Sequence, residues 1–258
     1  MSARARRLAA PRRLDLCRQA TLVAVAVAAA WVASVWLWLH PTAASSATGA
    51  PEWWCMPSMS PGGSAANTAA IDLGAAMGMW LLMSAAMALP GELPAVQYVA
   101  TNTFRRSRSS AVTVFVVVYL LVWLVCGLPA AIVMATLHGL PADTLFATAL
   151  AAAAAYELTP LKQRALNRCH RGAPLPPTGL RRVAAVARFG WLNASGCVVS
   201  CWPAMLAASI APVAQPLAIA AFTCTMTYER LTRRPRTARQ RIATSYLAIA
   251  AAFVVVAL

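Results

Sequence analysis

Long apolar runs alternate with short polar stretches along this chain, at 21–39, 69–89, 111–137, 144–158, 189–211, 217–229 and 242–258. About twenty apolar residues in a helix cross the roughly 30 Å of a bilayer's hydrocarbon. The pattern therefore predicts an all-α, polytopic transmembrane helix bundle of about seven spans. The run at 144–158 is short for a span and is expected to be tilted or partly enclosed. Pro90, Pro94 and Pro160 mark the ends of two of the runs, because proline cannot continue a helix without losing a backbone bond. Residues 1–20 read as a tail ahead of a membrane domain covering 21–258.

The basic residues orient this bundle. They fall in four groups: Arg4 to Arg18, Arg105 to Arg108, Lys162 to Arg188, and Arg230 to Arg241. Each group lies between alternate runs, so all of them share one side. Lys and Arg collect on the cytoplasmic side of membrane proteins, which puts the N-terminus there and makes the expected location a plasma (inner) membrane. Residues 40–68 contain no Lys or Arg and are expected outside. The first run is long for a signal peptide, and Trp31, Trp36 and Trp38 suit the aromatic belt of a retained anchor.

Composition agrees with this picture. The chain is 60% hydrophobic and 11% charged, against about a quarter charged for soluble domains. Its mean hydropathy is +0.63. A net charge of +15 would suggest nucleic acid in a soluble chain, but here the charge follows membrane sidedness, so membrane lipid replaces nucleic acid as the expected partner. The cysteines lie mostly inside apolar runs, where a disulfide framework is not expected.

Candidate chemistry is carried by sulfur. Asn193, Cys197, Cys201 and Met205 are spaced by four and form one slowly turning stripe on a helix. Met79, Met83 and Met87 repeat the spacing in the second run, and Cys224 and Met226 stand in the sixth. Counting about 1.5 Å per residue along each helix brings the central members of these sets to similar depth. Thiolate and thioether donors favour Cu(I), and thiolates also accept Zn(II). Copper is the expected metal, zinc the lesser candidate, with Cys197, Cys201, Met83 and Met87 as preferred ligands. Met79, Met205 and Cys224 complete the candidate set. Two outlying features, His40 with His138 and the run Cys55-Met56-Pro57-Ser58-Met59, are weaker ligand candidates. Glu92, Glu157 and Glu229 stand at the cytoplasmic ends of runs, near Lys162 or Arg230 in sequence, and are expected to form interfacial ion pairs. No phosphate-binding loop, dinucleotide fingerprint, paired-histidine zinc helix or nucleophile elbow is present, so no catalytic residue is assigned.

Four stretches together resemble a bacterial family of predicted metal-binding integral membrane proteins, domain of unknown function 2182. They are Met79-Trp80 with Met83, Met87, Pro90 and Pro94; Tyr156 through Lys162; Gly196-Cys197 with Cys201-Trp202 and Met205; and Glu229-Arg230. The resemblance implies metal binding over most of the chain. Ala88 and Ala165 stand where the family has a second methionine and a second cytoplasmic cysteine. The function expected is binding or translocation of a soft metal ion between helices, supplied by an extracytoplasmic copper-binding protein. The competing expectation is a membrane scaffold in which the sulfur residues only pack.

Overall fold

The computed structural model describes residues 13–39, 73–137, 141–169, 172–176, 179–211, 215–232 and 235–257. Among these residues every regular element is helical. The helices are α1 (Arg13–Leu39), α2 (Leu73–Ala88), α3 (Leu93–Thr101), α4 (Arg108–Thr136), α5 (Ala142–Glu157), α6 (Pro160–Cys169), α7 (Gly179–Ser209), α8 (Gln215–Leu231) and α9 (Pro235–Ala257). A 3-10 turn at Leu89–Glu92 joins α2 to α3, with Pro90 at its start. His40, Cys55 to Met59 and His138 lie outside the described residues.

Several stretches expected as loop are helical, among them α3, which carries Pro94 in its first turn. Pro160 does not close a helix into a loop; it opens α6. A proline in the first turn sacrifices no hydrogen bond, because that N–H has no partner in a helix anyway. The axis bends by 72° between α5 and α6, which folds the stretch expected as loop back against the bundle. α7 likewise begins at Gly179, so its first turns carry Arg181, Arg182 and Arg188 ahead of the apolar run.

Two described helices, covering Arg105–Val133 and Gly179–Ser209, are long and apolar enough to cross a membrane, and a third span results if α5 and α6 count as one bent unit. This is fewer than the seven expected. Length sets two of the helices apart: α2 and α5 have 16 residues each, about 24 Å of helix against about 30 Å of hydrocarbon.

Packing centres on α7. It contacts α4, α6, α5 and α8, while α2 packs on α4, α8 and α1, and α9 lies along α5 in the most extensive pairing. Trp31 of α1 donates to the Ala86 carbonyl of α2 at 3.1 Å, and Trp80 of α2 donates to the Trp123 carbonyl of α4 at 2.8 Å. The second contact depends on Gly127, where a Cβ would stand 2.6 Å from the Trp80 ring. Meanwhile Leu121, Val125, Ile132, Trp191 and Trp202 point outward, Val125 with 64% of its surface exposed. Large apolar side chains spread over the outer faces of the longest helices suit a surrounding that is itself apolar.

Candidate metal centre

The spacing of four on α7 produces a stripe that faces inward throughout: Asn193, Cys197, Cys201 and Met205 are all buried. Small neighbours make this approach feasible, since Gly196 lies directly beneath Cys169 of α6. The two thiol sulfurs of Cys197 and Cys201 stand 3.9 Å apart. Two metal–sulfur bonds of about 2.3 Å each span any separation up to about 4.6 Å, so one ion can reach both. The Tyr119 hydroxyl of α4 donates to Cys197 Sγ at 3.1 Å. A phenol in that position supports negative charge on the sulfur.

Cys197 and Cys201 open on a cleft between α2, α7 and α8, where Met87 and Met226 also present themselves, together with Ser200, Glu229 and Arg230. Met205 is buried one turn further along α7. Met83 lies beyond it, next to Ser209, whose hydroxyl meets the Met83 sulfur at 3.8 Å and donates to the Met205 carbonyl at 2.9 Å. Ser209 is eight residues past Cys201, about 12 Å along the helix. The sulfur atoms thus form a ladder along α7 rather than one shell, with Cys197, Cys201, Met87 and Met226 at its cleft and Met205 and Met83 on the next rungs. Cys224 is exposed and does not join them. Met79 belongs to α2, but its side chain lies outside the described residues.

Beside the cleft is a layer of buried charge. Lys162 of α6 pairs with Glu157 of α5 and, at 2.8 Å, with Glu229 of α8. Arg230 of α8 pairs with Glu92, whose other oxygen accepts from the Asn193 amide at 2.5 Å. The Lys162, Glu157, Glu229 and Glu92 side chains are each at most 5% exposed, so the ion pairs expected from the sequence form inside the packed chain. Arg230 also reaches Cys169 Sγ at 3.6 Å.

Among the described residues, no three His, Cys, Asp or Glu side chains gather closely enough to hold a metal ion. The donors that the cleft adds to the cysteine pair include the thioethers of Met87 and Met226, and thioether donors select soft ions. The profile of a family described as copper chaperone, PpoB2, matches residues 77–254. The chain belongs to the PpoB2 copper chaperone family. No curated protein and no solved structure matches it. Every helix from α3 to α8 falls inside the PpoB2 match, and so does the whole sulfur ladder as far as the structure describes it.

Sequence reasoning singled out Cys224 in this PpoB2 chain where the fold presents Met226. The two are about 200° apart around a helix, so only one of them can face the cleft. The signal was available in the glutamate: Glu229 is three residues beyond Met226 and shares its face. Arg230 was also missed as a wall of the cleft, because its partner Glu92 is 138 residues away.

Proposed function

We propose that this protein is a multi-pass plasma-membrane copper carrier that holds Cu(I) as cargo between its helices, at Cys197 and Cys201 with thioether support from Met87 and Met226. The observation that carries this reading is the pair of thiols 3.9 Å apart, opening on a cleft that both methionines line. Met205 and Met83 extend the sulfur path along α7 toward the side expected to be extracytoplasmic. An extracytoplasmic copper-binding protein is the natural exchange partner, because ligand exchange between sulfur donors moves a soft ion without releasing it to water. Seven spans with a cytoplasmic N-terminus remain the topology that the charge pattern supports. Membership of a copper chaperone family supports copper over zinc.

The competing reading is a scaffold in which the sulfurs pack. Tyr119 favours it, since its hydroxyl already satisfies Cys197. The two readings separate on Cys197→Ser and Cys201→Ser, which nearly preserve volume and remove the soft donor. As carrier, the purified, reduced protein holds copper and each substitution removes it with metal-free stability little changed. As scaffold, no copper is retained above a control membrane protein.

A further inference from the structure

The thiols of the cleft come from one helix, whereas its thioethers come from two others, and something must hold those two in register. Met87 is on α2, five residues before Glu92; Met226 is on α8, four residues before Arg230. The Glu92 carboxylate pairs with the Arg230 guanidinium, about one turn from both methionines. The contact is closely fitted. A Cβ on Gly91 would stand 2.7 Å from Arg230 Cδ, so the arginine stem lies flat on the backbone of the turn. Glu92 is pinned from the other side by Asn193, one turn before Cys197 on α7. One carboxylate thereby ties together the three helices that supply the four sulfurs.

We propose that the pair formed by Glu92 and Arg230 is the positioning device for the thioether half of the cleft, fixing α8 against α2 so that Met87 and Met226 both face the cysteines. This rests on the copper reading given above. Neither residue touches the ion. They act through the register of two helices, and a buried pair with a bidentate-capable guanidinium is suited to setting register. The two halves of the cleft then differ in what controls them. Cys197 and Cys201 keep their separation through α7 alone, so they retain whatever thiolates bind unaided. The thioethers depend on the latch.

That difference gives a test with two probes on the full-length, reduced protein in detergent. Ag(I), a monovalent soft ion, uses thiolates and thioethers; Zn(II) uses thiolates and not thioethers. Arg230→Leu and Glu92→Gln are expected to weaken Ag(I) at least tenfold, matching the double change Met87→Leu with Met226→Leu, while Zn(II) affinity changes less than threefold. Arg230→Lys, which keeps the charge and the pair, is expected to stay within threefold of wild type for both ions. Glu92→Gln keeps the shape and an acceptor for Asn193, so it carries the test if Arg230→Leu fails to fold. Parallel losses of Ag(I) and Zn(II) would show a general structural role and overturn the proposal, as would unchanged Ag(I) affinity in both variants. If instead wild type binds neither ion, or Cys197→Ser binds both normally, the copper reading itself falls and the latch with it.

Discussion

Asn193 donates its side-chain amide to Glu92 at 2.5 Å, joining the middle of α7 to the turn after α2. The bond satisfies the carboxylate oxygen that Arg230 does not take, inside a part of the bundle that water does not reach. Asn193→Ala leaves that oxygen without its donor. The expected cost is about 1–3 kcal/mol, the penalty of a buried acceptor left unmet. It is to be read as a lowered melting temperature of the metal-free protein in detergent, with copper stoichiometry retained because no sulfur is removed.

Gly196→Ala tests the seat of α6. The new Cβ would stand 2.7 Å from Cys169 Sγ and 3.3 Å from the Ala165 carbonyl, and overpacking of this kind costs about 1–3 kcal/mol. Cys169→Ala in the same chain removes the nearer atom, so the double variant is expected to recover most of the loss. Equal melting of the single and double variants would contradict this packing.

Met226→Leu and Cys224→Ser set neighbouring sulfurs against each other. Leucine keeps the bulk of methionine without the thioether, so Met226→Leu is expected to lower copper affinity about tenfold, a loss on the order of 1.4 kcal/mol. Cys224 is exposed, so Cys224→Ser is expected to change neither affinity nor melting temperature. A copper titration of the two variants reverses the assignment if Cys224→Ser is the one that fails.

Topology is open to reporter fusions. Fusions after Arg108, Arg188 and Arg241 are expected to report cytoplasm, and those near Ala66 and Asp143 outside, because the basic stretches all share one side. A cytoplasmic signal near Ala66 would break the seven-span arrangement.

The stripe on α7 was legible in the sequence because a helix repeats its faces every three to four residues, and four chemically distinctive residues at that spacing leave one interpretation of which side they share. Pairing across helices was not legible. Arg230 follows Glu229 in sequence, yet adjacent helical residues point about 100° apart, so they cannot pair. Arg230 turns to Glu92 and Glu229 turns to Lys162. The burial of these charges within the chain depends on the return of α6 against the bundle, which position at the end of an apolar run does not reveal. Met83 illustrates the limit of spacing arguments, since it shares the interval of Met87 along α2 yet its sulfur lies beside Ser209, beyond the cleft that Met87 lines.

The 72° bend before α6 also constrains the order in which the chain can be assembled. Lys162 has one carboxylate within reach as soon as α5 and α6 are made, Glu157, but its second, Glu229, arrives only with α8. Burying a carboxylate without a partner costs several kcal/mol, so Glu229 relies on a Lys162 that the bend has already brought against the bundle. The cleft is complete only once α8, the helix bearing Met226, Glu229 and Arg230, is packed on it.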